Sequence, residues 1–320
     1  MFNNKKDGVI MTKSCLVIGD LNVDLVLNEL KGFPELGKEI IARNHFMDIG
    51  GSGGIFSAVL SSLDTKTYII SKIGNDFFGR FLIDKLKSHN VDISQLIIKN
   101  NKETGITINL SYKNDKYQVS CLNLVGSLSL NDIAFQNIKD IRHVHFSSYY
   151  IMKNLKADYV KLINDIKSNY KNVTFSLDTN DDPENKWGEE IYRILGNIDI
   201  FLANKKEALK ITKESNTGDA LNKLSRAIKT IVIKLGSEGY IARDGENYYS
   251  GDQLSVNFKD STGAGDNFDA GFIYGYIDNL NIEKSLKIAN ICGAKSVEYL
   301  GGVGNKEKFL ELKELIRKVD

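Results

Sequence analysis

Short apolar runs alternate with longer segments of helical periodicity along most of this chain. The runs are rich in β-branched and aromatic residues and often end in Gly, Asp or Asn, which predicts buried strands. Strands that alternate with helices in this way are typical of βαβ units around a largely parallel sheet. We predict central strands at 14–20, 68–74, 143–148, 173–178, 199–204 and 230–236, and helices at 76–89, 154–169, 187–195, 205–212 and 219–228.

Two stretches break this alternation and predict a second, smaller sheet. Residues 21–48 follow the first strand without a helical pattern, and residues 104–126 alternate polar and apolar positions, as a strand with one buried face does. Within the second stretch, Asn114 and Asp115 favour a hairpin turn. After the last central strand, residues 240–250 predict another hairpin, and successive helices follow it.

The charge balance, the cysteines and the apolar runs of the chain indicate the kind of partner and the cellular location to expect. The 42 Lys and Arg residues balance the 41 Asp and Glu residues, so the positive excess of a nucleic-acid-binding or membrane-adhering protein is missing, and a small molecule is the expected partner. The cysteines Cys15, Cys121 and Cys292 lack CxxC spacing, which argues against a disulfide framework and for a reducing, cytoplasmic location. No run of about 18 apolar residues predicts a membrane span. Residues 1–13 are polar and are expected to form a disordered N-terminal extension.

The strongest candidate site is the glycine-rich segment DSTGAGDNF at 260–268, which runs directly into an apolar helical pattern. Its small residues Gly263, Ala264 and Gly265 allow the backbone to approach a ligand closely. The unpaired N–H groups and the positive dipole end of the following helix would stabilise a phosphate charge there. Asp266 would lie in the first helical turn, where its carboxylate could accept the proton of an attacking hydroxyl. The alternative is that Asp266 simply caps a structural helix.

A second glycine cluster, GGSGG at 50–54, also precedes an apolar helical pattern. It could bring its backbone against a sugar or a phosphate, or it could be a flexible surface turn. The spacing is not that of a dinucleotide fingerprint, because the third glycine of GxGxxG would fall at Phe56. The segment 32–39 fits GxxxxGK but has Glu39 where a P-loop requires Ser or Thr for magnesium, so a P-loop is excluded as well.

Two polar pairs directly follow predicted strands, at the sheet edge where ligands of open α/β proteins bind. Asn204 and Glu207 are one helical turn apart and could hold hydrated Mg²⁺, which takes few protein ligands; alternatively, they form a capping box. Asn22 and Asp24 offer groups that bind vicinal hydroxyls, or they form an Asx turn that leaves the strand. Each pair therefore has a functional and a structural interpretation.

These segments together resemble the ribokinase-like carbohydrate kinases, the PfkB family, from about Cys15 to the C-terminus. GDLNVD at 19–24 is similar to the family's first-strand motif, and GGSGG at 50–54 with the segment 73–92 is similar to its N-terminal signature region. ANKKE at 203–207 resembles the family's N-x-x-E magnesium motif. DSTGAGDNF is close to the C-terminal signature, in which the last Asp is the catalytic base, and it is the most specific of these motifs.

The resemblance implies an α/β fold, a three-layer αβα domain over 14–320 around a mostly parallel sheet. A small β-sheet lid would be formed by about 21–48 and 104–126, and two chains could pair through it. The implied activity is transfer of the γ-phosphoryl group of ATP to a hydroxyl of a small sugar or sugar-like acceptor. Asp266 would be the catalytic base, and the amides of 263–265 would stabilise the transferred charge.

The resemblance also implies ligands for individual residues. The acceptor would contact Asn22, Asp24, Gly50, Gly51 and Gly54, while ATP would contact Asn204, Lys234, Gly236, Gly239, Thr262, Gly263, Gly265 and Asn290. Mg²⁺ would bind Asn204 and Glu207 through water. A monovalent cation such as K⁺ would bind Asp260, with the loop 301–304 completing its site.

Departures from the family pattern bear on the acceptor. Ile55 replaces an Asn that touches the sugar in the family, and Asp182 replaces an Arg of fructokinase-like members. No basic residues are evident for a phosphorylated sugar, which argues against a phosphofructokinase; ribose, fructose, a ketoacid sugar and a nucleoside remain open. The alternatives are a nucleoside kinase of the same family and a non-catalytic sugar-binding regulatory protein on the same fold. A nicotinamide-dependent oxidoreductase would need a glycine fingerprint that is missing after the first strand.

Overall fold

The computed structural model describes residues 14–32, 34–112 and 115–319. The expected N-terminal extension 1–13 and Asn114 of the expected hairpin turn lie outside these residues. The described chain forms a mostly parallel sheet with helices on both faces and a small separate sheet, which confirms the predicted α/β fold class. None of the described helices is long and apolar enough to cross a membrane.

The described strands and helices are numbered in chain order. The strands are β1 (Ser14–Ile18), β2 (Asn22–Asn28), β3 (Asn44–Gly50), β4 (Lys66–Ile70), β5 (Lys72–Gly74), β6 (Ile97–Lys99), β7 (Ile106–Tyr112), β8 (Asp115–Cys121), β9 (His143–Phe146), β10 (Thr174–Asp178), β11 (Ile200–Asn204), β12 (Thr230–Lys234), β13 (Tyr240–Asp244) and β14 (Asn247–Gly251). The helices are α1 (Ser52–Ser62), α2 (Phe77–Ser88), α3 (Tyr159–Asn169), α4 (Ile191–Leu195), α5 (Lys205–Thr212), α6 (Thr217–Leu224), α7 (Ala264–Ile277), α8 (Ile282–Ser296) and α9 (Lys306–Ile316).

The large sheet has the strand order β14-β13-β12-β11-β10-β9-β1-β4 within the described residues. Its members from β4 to β12 run parallel, and β13 and β14 continue it as the predicted antiparallel hairpin. The parallel strands therefore end at one edge, where Asp178, Asn204 and Lys234 are the last residues of their strands. Polar residues that lie far apart in sequence meet at this edge, which is the usual ligand-binding edge of an open α/β sheet.

Alternating side chains of the parallel strands enter two separate apolar layers, as expected for a sheet that is buried on both faces. In β1, Leu16 and Ile18 belong to one layer, while Cys15 and Val17 belong to the other. Helices α3 to α6 cover the first layer, and α1, α2, α7, α8 and α9 cover the second. The result is a three-layer arrangement with the sheet in the middle.

The small sheet has the order β3-β2-β7-β8, so the two stretches that break the alternation pair with each other. Strands β2 and β7 are parallel, whereas β2 with β3 and β7 with β8 are antiparallel. Asp24 of β2 lies opposite Asp48 of β3. Because β2 begins at Asn22, shortly after β1 ends, the small sheet starts at the ligand-binding edge of the large one.

Two predicted elements differ most from the structure. The strand expected at 68–74 is divided, because β4 ends at Ile70 and β5 then pairs with β6 in a separate two-stranded sheet. The helix expected at 154–169 starts only at Tyr159, since the preceding residues close separate turns onto carbonyl groups three residues earlier. Both differences arise from backbone pairing that hydrophobic periodicity does not report.

Candidate active site

Helix α7 begins with the predicted glycine-rich turn, and the turn requires its glycine. Gly263 has φ +70°, and a Cβ built on it would lie 2.7 Å from the Cα atom of Gly302. The first N–H groups of a helix have no partner within it; here Ala264 N donates to the Ser261 carbonyl at 3.3 Å, and the N-cap Gly263 has no side chain that could accept from the others. The next residues, Ala264 and Gly265, are small enough for close approach. The start of α7 is therefore an open backbone site that suits an anion.

Lys234, the last residue of β12, places a positive charge beside this turn. A Cβ built on Gly265 would lie 3.4 Å from the Lys234 Nζ atom. The ammonium group donates to Asp269 Oδ2 at 2.7 Å and to Asp178 Oδ2 at 3.1 Å. Burial opposes the charge, but Asp269, Asp178 and Glu207 outweigh it and raise the pKa of Lys234, so the lysine is protonated at neutral pH.

Asp266 lies in the first turn of α7, as expected from the sequence. Burial raises the pKa of its carboxyl group to about 7, and the negative charge of Asp178 adds to this effect. The Lys234 ammonium group and the nearby Ser52 hydroxyl group act in the opposite direction. A carboxyl group with a pKa near neutrality is suited to general-base catalysis. Since Ser52 belongs to the first turn of α1, the two glycine-rich segments meet at this carboxylate.

Asp178 and Asp269 are candidate site residues that sequence reasoning misses. Burial raises the pKa of Asp269, and its Oδ1 atom has no hydrogen-bond partner among the described residues. Both residues have a position that could have indicated a site in the sequence: Asp178 ends a central strand, and Asp269 follows Asp266 by one helical turn. Their shared partner could not be inferred, because Lys234 is 56 residues from Asp178 in sequence.

Four residues expected to contact the acceptor lie together at the start of the small sheet: Asn22, Asp24, Gly50 and Gly51, named the Asn22 cluster below. Asn22 Nδ2 donates to Asp24 Oδ1 at 3.2 Å and to Thr107 Oγ1 of β7 at 3.1 Å. A Cβ built on Gly50 would lie 2.2 Å from Asp24 Oδ1. Gly51 has φ +79°, and a Cβ there would lie 2.9 Å from Asn22 Oδ1. Side chains at these glycines would therefore displace the polar groups.

Gly54 does not join the Asn22 cluster. Its N–H group donates to the Asp20 carbonyl at 3.1 Å, and a Cβ would lie 2.6 Å from Leu21 Cδ1. Helix packing therefore explains this glycine, and the expected contact with an acceptor is not supported. Ile55 also faces the interior, because a Cβ built on Gly302 would lie 2.5 Å from Ile55 Cδ1. Its contact with the C-terminal loop explains an apolar residue at this position.

Asp20 accepts hydrogen bonds from the N–H groups at the start of α1, which begins within the glycine cluster 50–54. Its Oδ2 atom accepts from Ser52 N at 3.1 Å, and its Oδ1 atom accepts from Gly53 N at 3.0 Å and from the Ser147 hydroxyl at 3.1 Å. Burial raises the pKa of Asp20, and these donors act against that shift. A carboxylate of the protein thus occupies the N-terminus of α1, which argues against a phosphate site at 50–54.

Asn204 and Glu207 form the capping box of α5. Asn204 Oδ1 accepts from Glu207 N at 2.9 Å, and Glu207 Oε2 accepts from Asn204 N at 2.9 Å. Burial raises the pKa of Glu207, and Asp178 adds to the shift. Across residues 14–32, 34–112 and 115–319, no three His, Cys, Asp or Glu side chains form a metal-binding group. The pair therefore forms the capping box that was the structural alternative for these residues. Any contact of the pair with Mg²⁺ would be through water.

Comparison with known proteins assigns the family. A family model described as pfkB family carbohydrate kinase matches residues 12–308. The chain belongs to the pfkB family of carbohydrate kinases. This PfkB kinase is 25% identical to an ATP-dependent 6-phosphofructokinase of Thermoanaerobacterium thermosaccharolyticum, over 95% of this chain and 92% of that protein. It is 24% identical to a ribokinase of Lactococcus lactis, over 95% of this chain and 97% of that protein.

The fold of the PfkB kinase is shared with solved structures. Arabidopsis thaliana ribokinase complexed with ribose and ATP matches with a TM-score of 0.78 at 20% identity, covering 95% of this chain and 99% of that one. At this level of identity the match establishes the three-layer fold.

A cavity of about 240 Å³ in the PfkB kinase adjoins the start of α7. The residues expected to contact ATP that line this cavity are Lys234, Gly236, Gly239, Gly265 and Asn290. Its apolar walls include Phe258, Phe268, Ala294 and Val297, which sequence reasoning misses. They carry no sequence signal, because an apolar residue that lines a cavity follows the same periodicity as one in the core. Apolar walls with few polar groups are typical of small-molecule sites.

Asp260 joins the C-terminal loop of the PfkB kinase to the start of α7. Its Oδ1 atom accepts from Thr262 N at 2.9 Å and from Thr262 Oγ1 at 2.7 Å, and its Oδ2 atom accepts from Gly301 N at 3.0 Å. Thr262 is buried against Asp260 and is not among the described lining residues of the cavity, so its expected contact with ATP is not supported. Asp260 and the loop 301–304 do lie together.

Proposed function

We propose that this PfkB kinase transfers the γ-phosphoryl group of ATP to a hydroxyl of a small sugar or sugar-like acceptor, with Asp266 as the catalytic base. The observation that carries the proposal is the position of Asp266. Its carboxylate shares the first turn of α7 with the amides of 263–265, and the hydroxyl group of Ser52, which follows Gly51 of the Asn22 cluster, is near enough to act on the pKa of Asp266. One carboxylate thus borders both the anion site and the polar cluster.

The acceptor would be held by the Asn22 cluster while Asp266 removes its proton. Asn22 and Asp24 are buried and together offer an amide and a carboxylate, which suit vicinal hydroxyl groups. As the acceptor oxygen forms its bond to the γ-phosphorus, the bond from that phosphorus to the bridging oxygen would break, ADP would leave, and the hydroxyl proton would pass to the Asp266 carboxylate. With a pKa of about 7, this carboxyl group is ionised in a large fraction of molecules at neutral pH.

The transferred phosphoryl group would be stabilised by fixed donors at the start of α7. The amides of 263–265 and the Lys234 ammonium group present positive charge where negative charge redistributes in the transition state. Lys234 is held by Asp178 and Asp269, so its position is defined before ATP binds. Donors that are already oriented need no rearrangement during the reaction, which is the source of their catalytic value.

ATP would occupy the cavity of about 240 Å³ beside α7. The purine ring would pack against the apolar side chains Phe258 and Val297, and the phosphates would extend toward Gly265 and Lys234. Gly236 has φ +63°, and a Cβ built on it would meet no described atom within 4 Å, so the cavity wall is open at this residue. In this arrangement the γ-phosphate would lie toward Asp266.

Cations complete the proposed site. Asn204 and Glu207 would hold Mg²⁺ through water, and the bound ion neutralises charge on the phosphates. A monovalent cation such as K⁺ would bind Asp260 beside the loop 301–304, where it would support the start of α7. The amide and carboxylate oxygens of these residues match the oxygen ligands that both ions prefer.

We further expect the small sheet to act as a lid. Its strands carry Asn22, Asp24 and Gly50, so closure over the acceptor would exclude water and suppress ATP hydrolysis. The outer strand β8 exposes 60% of Tyr117 and 52% of Val119, which favours contact with a second copy of the chain. Light scattering on the purified protein tests this homodimer, and a monomeric mass at micromolar concentration contradicts it.

The direct test is ADP release from Mg-ATP, with and without K⁺, in the presence of candidate acceptors. The panel contains ribose, fructose, fructose 6-phosphate, a ketoacid sugar and nucleosides; fructose 6-phosphate tests the expectation against a phosphofructokinase. Asp266→Asn removes the proposed base. Asp84→Asn, an exposed aspartate of α2, is the matched control.

Turnover with one acceptor that is lost in Asp266→Asn and kept in Asp84→Asn supports the proposed reaction and names its substrate. Turnover that survives in Asp266→Asn contradicts the assignment of the base. If Mg-ATP raises the melting temperature of the wild-type protein but no acceptor is phosphorylated, the non-catalytic binding protein becomes the better explanation.

A further inference from the structure

A lysine is buried behind the proposed anion site. Lys308 of α9 has 0% of its surface exposed, although lysine is almost never fully buried without a partner. Its Nζ atom donates to the Val303 carbonyl at 2.6 Å and to Asn267 Oδ1 at 2.6 Å. Neither of these acceptors is a carboxylate. The amine is therefore held by neutral oxygen atoms in the protein interior, which is an unusual place for a group that carries charge in water.

Asn267 connects this lysine to the start of α7. Its side-chain amide donates to the Gly263 carbonyl at 2.7 Å and to the Gly302 carbonyl at 2.7 Å. Gly263 is the left-handed residue that opens the anion site, and it packs against Gly302 so closely that a Cβ would collide. Hydrogen bonds thus run without interruption from the Lys308 amine through Asn267 to the backbone turn that would bind the phosphoryl group.

Three other groups face Lys308. Burial lowers the pKa of Lys308 to about 7, while Cys292 of α8 and Asp48 of β3 act to raise it. The Phe309 ring centroid lies 5.2 Å from Nζ. Asp48 Oδ2 also accepts from Val303 N at 3.4 Å, so the loop that receives the lysine contacts the small sheet as well. The amine lies where the C-terminal loop, the small sheet and α7 meet.

We propose that Lys308 is a positioning residue, whose amine acts through its hydrogen bond to Asn267 to hold the Gly263 turn in the geometry that binds the transferred phosphoryl group. This proposal rests on the proposed kinase reaction. A methionine has a similar length and would fill the same space without placing a polar head in the interior. Packing alone therefore does not explain the lysine, whereas its two hydrogen bonds behind the anion site do.

The test compares the affinity for Mg-ADP alone with the affinity for Mg-ADP plus fluoroaluminate, which imitates a phosphoryl group in transfer. Calorimetry on the full-length wild-type, Lys308→Met and Lys313→Met proteins measures both affinities. Lys313 is the matched control, because it lies on the same helix and its Nζ atom pairs with Asp64 at 2.8 Å near the surface. We expect fluoroaluminate to increase the affinity of the wild-type and Lys313→Met proteins. Lys308→Met should lose about tenfold of that increase while it keeps its affinity for Mg-ADP within about twofold.

A second variant decides the question if Lys308→Met does not fold. Asn267→Asp keeps an oxygen acceptor for Lys308 but lacks the amide that donates to Gly263 and Gly302, so it should show the same selective loss. A folded Lys308→Met or Asn267→Asp protein that keeps the full increase overturns the positioning role. An equal loss of affinity with and without fluoroaluminate overturns it too, because that indicates a general structural role. A wild-type protein without any increase contradicts the proposed phosphoryl transfer instead.

Discussion

The two glycine-rich helix starts of this kinase have similar sequences and opposite environments. Helix α1 begins within GGSGG, at Ser52, and α7 follows STG, and each places backbone N–H groups with small side chains at a helix N-terminus. At α1, Asp20 accepts the N–H groups of Ser52 and Gly53. At α7, no described side chain caps the helix, and the Lys234 ammonium group lies beside Gly265. The first start is closed by an internal anion, whereas the second is open to an external one.

This difference shows what a glycine cluster before a helix can and cannot predict. It predicts accessible backbone, because small residues leave the N–H groups uncovered. It does not predict the occupant, which depends on the side chain that the fold brings opposite the helix start. Asp20 reaches Ser52 across 32 residues of sequence, and local patterns contain no trace of that contact.

The largest effect should come from removing the carboxylate at the open helix start. Asp266→Asn should lower kcat by roughly 10²-fold or more and leave the Kd for Mg-ATP almost unchanged, because only proton removal is lost. In the wild-type protein kcat/KM should rise with pH through about 7, as the base ionises. Initial rates between pH 5.5 and 8.5 and ATP titrations measure both effects. Retention of most of the activity would remove Asp266 from the mechanism.

Removing the carboxylate at the closed helix start should affect stability first. Asp20→Ala leaves the N–H groups of Ser52 and Gly53 and the Ser147 hydroxyl without their acceptor, which should lower the free energy of unfolding by about 3 kcal/mol. Urea denaturation measures this change. An unchanged urea midpoint would contradict the view that Asp20 closes α1.

Asp266→Asn is the contrasting variant in the same denaturation experiment. The pKa of Asp266 is higher in the folded chain than the value of ~3.9 expected in the unfolded chain, so the folded state binds the proton more tightly. This group therefore makes wild-type stability fall as the pH rises from about 4 to about 7. Asparagine removes that contribution, and Asp266→Asn should be more stable than the wild-type protein at pH 8. A loss of stability would show that the carboxylate also has a structural role.

A moderate effect on acceptor binding is expected when a methyl group is added at Gly50, which belongs both to the glycine cluster 50–54 and to the Asn22 cluster. Gly50→Ala would place a Cβ 2.2 Å from Asp24 Oδ1, so the KM for the acceptor should rise by about tenfold while the KM for ATP stays unchanged. Gly32→Ala is the matched control, because a Cβ there has no described atom within 4 Å. An equal change in both KM values for Gly50→Ala would argue against a local contact with the acceptor.

The smallest expected effect is the shift of the pH profile that the charges around the open helix start produce, which is separate from the loss of kcat expected when the Lys234 donor is removed. Asp178 raises the pKa of Asp266, so Asp178→Asn should shift the acidic limb of the kcat/KM profile to lower pH and increase activity at pH 6, relative to pH 8, by about threefold. Lys234 lowers the same pKa, so Lys234→Met should shift that limb to higher pH. Shifts in the same direction for both variants would show that these charges do not act on Asp266.

The central strands, most helices and the glycine-rich turn before Asp266 could be predicted from the sequence, because the patterns that indicate them extend over only a few neighbouring residues. The central strands and most of the described helices bury faces whose periodicity is visible over a few residues, and the parts of the turn, from Gly263 to Asp266, are neighbours in the chain. The capping box of Asn204 and Glu207 was also an explicit alternative, since it depends on one helical turn. Gly54 and Thr262 were less predictable, because the same residue types serve in packing and in ligand contact.

The sequence by itself determined the α/β layout, the left-handed glycine turn and the carboxylate that follows it, because all three depend on local conformation and periodicity. Only the tertiary structure decided which charges meet: Lys234 with Asp178 and Asp269, and Asp20 with the start of α1. It also brought Lys308 to Asn267, 41 residues away. Electrostatic and hydrogen-bond partners are selected by distance in space, and the packing of distant elements sets that distance.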